Sequence, residues 1–170
     1  MNIDLSNYAR KLTQAISLRD ERALEQICFD LEYSQLEHEK WSEQLFNFFI
    51  GAIQDESLCK MQKSSGLISS IYNDFEKLTA NQQHSLLNII DGNADQFANE
   101  ILRHSISDLI ARKYPSDIAI RLFEKWKDEA SKNRSHMALV GFDVLLLSRT
   151  LNQSIEPRIR QYVKQLSGDE

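Results

Sequence analysis

Apolar residues recur at spacings of three and four along the whole chain, and strict alternation nowhere lasts for the length of a strand. One face of an α-helix returns every three to four residues, so the pattern predicts helix, turn, helix from end to end. Five glycines and two prolines in 170 residues are too few for the many turns of an all-β protein. The expectation is a single all-α domain over residues 1–170, built of antiparallel helical hairpins and long enough to bury a core without staples.

Leu5, Tyr8, Ala9, Leu12 and Ile16 form the first apolar stripe. Asp20 is the expected N-cap of a second helix carrying Ala23, Leu24, Ile27, Cys28 and Leu31. A third helix presents Trp41, Leu45, Phe48, Phe49 and Ala52, and a fourth presents Leu67, Ile68, Ile71, Tyr72 and Phe75. The polar stretch between them has room for a helical turn of its own. Thr79 should cap the fifth helix, with Leu86, Leu87 and Ile90 inward, and Asp91-Gly92-Asn93 should stop it in the left-handed conformation. The sixth carries Ala98, Ile101, Leu102, Ser105, Ile106, Leu109 and Ile110, and ends at Tyr114-Pro115 because the residue before proline is pushed out of helical geometry. Ser116 should cap the seventh, with Ala119, Leu122, Phe123, Trp126 and Ala130 inward. The eighth, Ser135 to Thr150, is apolar on nearly every side and should be wrapped by neighbours. The ninth opens at Ser154, tolerates Pro157 in its first turn, and buries Ile155, Ile159, Tyr162, Val163 and Leu166.

Helix starts near Ser42, Thr79, Ser116 and Ser154 are 37, 37 and 38 residues apart, a period suited to stacked hairpins. The units hardly match in sequence. The repeat is one of architecture, resembling a HEAT-like α-solenoid, with an irregular helical bundle of about nine helices as the alternative.

The chain holds no motif that carries chemistry. Cys28 and Cys59 lack C-x-x-C spacing and are expected to be reduced, buried thiols. His38 lies between Glu37 and Glu39, and His104 follows Glu100 by four residues, yet H-E-x-x-H and E-x-x-H are both absent. No metal and no cofactor are expected. Phosphate-binding glycine loops and G-x-S-x-G elbows are also missing, so no enzyme is expected. Asp143 stands out inside the most apolar helix, where an unpaired charge is costly, and should lie on its narrow exposed side or pair with a base such as Arg149. Trp41 and Trp126 fall on apolar stripes and read as core. The N-terminus has no secretory-signal pattern and the longest apolar run, Ala138 to Leu147, is too short for a bilayer, so a cytoplasmic protein without a membrane partner is expected.

Charge is the most informative feature left. Residues 19–43 hold eight acidic residues against three basic ones, a net of minus five, whereas residues 101–134 hold eight basic against five acidic, a net of plus three. An acidic surface repels nucleic acid and attracts basic proteins at long range. The basic stretch is interleaved with acids and too weak for a phosphate track, so no direct nucleic-acid binding is expected, and a DNA-glycosylase reading with Asp143 as its carboxylate is disfavoured by the net charge of −5. The expected partner-binding residues are Glu25, Glu32, Glu37, Glu39 and Glu43, with Tyr33 as an aromatic anchor.

A small acidic chain of stacked helices, with these glutamates and no catalytic motif, resembles the immunity proteins that neutralise bacterial polymorphic toxins, including those of contact-dependent growth inhibition. The resemblance spans the whole chain and rests on no diagnostic motif. It implies tight binding to a cognate toxin C-terminal domain, often a basic nuclease, whose active site is blocked or whose substrate is excluded. The alternative is a helical-repeat adaptor or scaffold that recruits a cellular protein.

Overall fold

In a computed structural model, residues 4–35 and 39–168 are described, and among them every regular element is helical: ten α-helices and three 3-10 turns. The tenth α-helix, relative to the expected nine, is a four-residue turn at Glu56–Cys59 in the polar stretch already credited with one. The chain divides into two compact units, residues 1–102 and 103–170.

In the first unit, α1 (Leu5–Leu18) opens on the side chain of Asp4, which accepts from Asn7 N at 3.1 Å, and closes at Arg19, whose φ of +50° is left-handed. Asp20 then caps α2 (Glu21–Gln35) by accepting from Ala23 N at 3.0 Å, as its position in the sequence predicts. Leu12 and Ala15 of α1 and Leu24, Ile27, Cys28 and Leu31 of α2 are buried. Ser42 caps α3 (Glu43–Ile53) through Leu45 N at 3.1 Å. The Trp41 ring packs 4.6 Å from that of Phe49, and its indole N–H donates to Asp74 Oδ2 at 3.0 Å in the interior.

The four-residue α4 (Glu56–Cys59) and a 3-10 turn at Gln62–Ser64 lead into α5 (Ser65–Asn73). Gly66 permits the close approach of α5 to α2, since a Cβ there would lie 2.9 Å from both Cβ and Sγ of Cys28. Thr79 and Gln82 form a reciprocal capping box at the start of α6 (Ala80–Asn93). The expected left-handed stop at Asp91-Gly92-Asn93 is not there. Positive φ occurs among the described residues only at Arg19 and Gly168, and α6 runs through Gly92 into a 3-10 turn at Ala94–Gln96. Continuing the turn buries Ile90 and Ala94 fully and lets Asn93 Nδ2 donate to Ile89 O at 2.7 Å, which outweighs the modest cost of a helical glycine.

Helix α7 (Glu100–Lys113) starts later than expected because Asn99 Oδ1 accepts from Ile101 N and Leu102 N at 2.8 and 3.2 Å. Phe97, outside the predicted stripe, is fully buried, and Ile101, inside it, is largely exposed.

In the second unit, α8 (Ser116–Asp128) follows Pro115, with Ser116 as its first helical residue and no side-chain cap; its end at Asp128 leaves Ala130 exposed. Helix α9 (Lys132–Ser148) begins three residues before the expected start because Ser131 Oγ accepts from Arg134 N at 3.3 Å. Its buried face is Met137, Ala138, Gly141, Phe142 and Leu145, and Phe123 and Trp126 of α8 are buried in the same unit. The helix is not wrapped all round, since Leu147 is 87% exposed. Ser154 does not cap α10 (Glu156–Ser167); its N–H is spent on Asn152 Oδ1 at 3.1 Å. Ile159 is the fully buried residue of α10, and Tyr162 donates its hydroxyl to Glu124 Oε1 at 3.1 Å. No helix among the described residues is long and apolar enough to cross a membrane.

Candidate functional site

The buried stripe of α2, Leu24, Ile27, Cys28 and Leu31, fixes which side chains the helix turns outward. One turn apart on the outer face, Phe29 and Tyr33 are 61% and 71% exposed, with ring centroids 6.2 Å apart in a stacked arrangement. Two neighbouring aromatic rings left in water on a helix that has already filled its core face form a surface with unmet apolar area.

Acidic groups flank this pair on both sides of the helix. On one flank lie Glu25 and Glu32, spaced seven residues apart over the buried Cys28. On the other, Asp30 borders a groove of about 290 Å³ between α1 and α2, lined also by Lys11, Leu18, Asp20, Ala23 and Ile27. Leu18, at the end of α1, is largely exposed and lines this groove.

The predicted acidic residues do not all stand ready for a partner. Glu25 is paired with Lys63 Nζ at 2.6 Å, which also holds the lysine above its ordinary pKa. Glu32 accepts from Asn73 Nδ2 at 2.6 Å, and Glu43, in the first turn of α3, accepts from Gln82 Nε2 at 3.0 Å. These three carboxylates join α2 and α3 to the elements that follow, so part of the acidic stretch is structural. Glu39 is exposed, and Glu37 lies outside the described residues. Tyr33, named from the sequence as an aromatic anchor, is exposed on α2. Its companion Phe29 was not anticipated, although it sits off the buried stripe and four residues before Tyr33, which is the spacing of helix neighbours.

Glu21 was also missed as a structural group. Its two carboxylate oxygens accept from Gln62 N and Lys63 N, both at 2.9 Å, and so cap the 3-10 turn before α5. The Cys28 thiol, shielded beneath this surface, is pushed up to about 12 by burial and then by the charges of Glu32 and Glu25, and burial pushes Cys59 up to about 12 as well. Both thiols are free and buried. Neither is poised as a nucleophile, because a reactive cysteine needs a lowered pKa and access.

Asp143 lies on the exposed side of α9, with its pKa raised by partial desolvation. Of the two expected placements, the exposed side or a pairing with a base such as Arg149, the first is the one found. The Arg149 guanidinium instead donates to Ala111 O, Arg112 O and Tyr114 O at 3.3, 2.6 and 3.0 Å, satisfying carbonyls at the C-terminus of α7. Trp41 and Trp126 are both core, as expected. No protein family, curated protein or solved structure matches the chain.

Proposed function

We propose that the chain is an immunity protein that docks a basic toxin domain on the outer face of α2 and neutralises it by covering its active site or excluding its substrate. The observation that carries this reading is the stacked, exposed pair Phe29 and Tyr33 set between acidic flanks. Aromatic side chains that become buried at the centre of an interface dominate binding energy, while charges at the rim govern the rate of encounter. The net charge of −5, concentrated in residues 19–43, steers a cationic partner toward this helix. A domain that acts on nucleic acid must itself be basic to hold phosphates, so an acidic inhibitor competes for the surface its substrate needs.

The test is affinity capture of the tagged chain from its native cytoplasm at moderate salt, with mass spectrometry of whatever stays bound in stoichiometric amount. The reading expects a small basic domain from the end of a very large secreted protein, lost when Phe29 and Tyr33 are both replaced by Ala. A housekeeping protein bound instead, unchanged by exposure to competitor cells, would replace immunity by the adaptor function.

A further inference from the structure

His104 of α7 and His136 of α9, 32 residues apart in the chain, bring their ring centroids to 5.2 Å. A ligand atom of His104 lies within 4.8 Å of one on His136, and within the same distance of a carboxylate oxygen of Glu100, one turn earlier on α7. Two imidazoles and a carboxylate are a donor set that suits zinc and its neighbours in the first transition row, and three protein ligands leave a coordination position for water. With metal–nitrogen bonds near 2.0–2.1 Å, donors around a tetrahedral ion sit about 3.3 Å apart. The side chains therefore have to close by roughly 1.5 Å at most, a shift that rotation about the exposed side-chain bonds of Glu100 and His104 can supply.

The surroundings set the strength of such a site. Arg103 Nε donates to His136 Nδ1 at 3.4 Å, and its Nη1 to Asn133 Oδ1 at 3.4 Å. A metal taken at Nδ1 displaces that guanidinium, and one taken at Nε2 requires a proton on Nδ1, which turns the acceptor into a donor and again releases Arg103. Either way the arginine keeps Asn133 within reach. Competition with a nearby cation makes this a site of moderate affinity, unlike a closed structural zinc centre.

We propose that His104, His136 and Glu100 bind one divalent transition-metal ion of the zinc class, joining α7 to α9. The experiment titrates zinc into the untagged, chelator-stripped full chain by calorimetry, with cobalt as a spectroscopic probe of imidazole ligation. The buried thiols of Cys28 and Cys59 do not compete in the folded chain. The proposal expects one equivalent bound, a rise in Tm with zinc, and a loss of affinity of about tenfold or more in His104→Ala and in His136→Ala, with a smaller loss in Glu100→Gln. His84→Ala and His38→Ala should bind as the parent does. Circular dichroism confirms that each variant is folded. Absence of saturable binding at one equivalent, or parental affinity in the folded His104→Ala/His136→Ala double variant, would overturn it.

Discussion

Replacing Gly141 by Ala should destabilise the protein although alanine is the better helix former. A Cβ built on Gly141 would meet three atoms of the Phe123 ring at 2.2, 2.4 and 2.5 Å. Ordinary carbon–carbon contact is about 3.5–4.0 Å, so the ring must retreat by more than about 1 Å. It has nowhere to go without disturbing its neighbours: Phe123 is fully buried, with the rings of Trp126 and Phe142 at 5.9 and 5.7 Å, and both of those are fully buried as well. Overpacking of this kind costs about 1–3 kcal/mol, and an overlap this deep belongs at or beyond the upper end. The gain in helix propensity offsets about 1 kcal/mol. The net expectation is a loss of about 2 kcal/mol, which for a chain of this length lowers Tm by about 4–8 °C. Far-UV circular dichroism during urea and thermal unfolding measures it. Gly92→Ala is the internal comparison, because nothing lies within 4 Å of a Cβ at that helical position, and it should gain about 0.5–1 kcal/mol. Should Gly141→Ala unfold at the same denaturant concentration as the parent, or a higher one, the account of helix α8 packing on α9 through a glycine would be wrong.

Three further outcomes follow from the same structure. Asp74→Ala removes the acceptor of the buried Trp41 indole N–H and the partner of Lys77 at 2.9 Å, and should cost about 1–3 kcal/mol with a shift in tryptophan emission; emission and stability like the parent's would contradict the bond. Arg149→Ala leaves three carbonyls at the end of α7 without their donor and should cost about 1–2 kcal/mol in the same unfolding assay, whereas Asp143→Asn, on the exposed side of α9, should stay within about 0.5 kcal/mol. The thiols of Cys28 and Cys59 sit at about 12 in the fold against an ordinary value of 9.0, so the folded state retains protons that the unfolded chain releases. Their contribution is whole below pH 9 and is lost as pH rises from there toward about 12, and unfolding midpoints measured across that window should fall.

Much of the helical framework was legible because its signals are local. Caps at Asp20 and Thr79 need only a short polar side chain three residues before an open N–H, and both are used as expected, while Ser42 caps the helix expected to start near it. The stop at Asp91-Gly92-Asn93 failed because the decision there is tertiary: the turn that continues the helix buries Ala94, which no local propensity reveals. The same reason hides the pairing of Arg149 with carbonyls 35 to 38 residues earlier and the meeting of His104 with His136. For the candidate site, the sequence singles out Tyr33, which is exposed, and the acidic stretch, yet composition cannot tell a carboxylate that faces only solvent from one already bonded to a later element. Glu25 and Glu32 fell into the second kind through Lys63 and Asn73, about forty residues on. Phe29 could have been found by asking which apolar residues of the second helix fall off its buried stripe.

The most direct test of the proposed role is a growth competition in the native host. Cells lacking this chain are mixed with neighbours that deliver toxins on contact, and are complemented with the parent or with the Phe29→Ala/Tyr33→Ala variant. Both substituted rings are exposed, so the variant should fold and accumulate normally. The account predicts that cells without the chain are killed, that the parent restores survival, and that the aromatic variant does not. Survival independent of the chain would contradict the immunity function, and full protection by the variant would contradict its placement on α2.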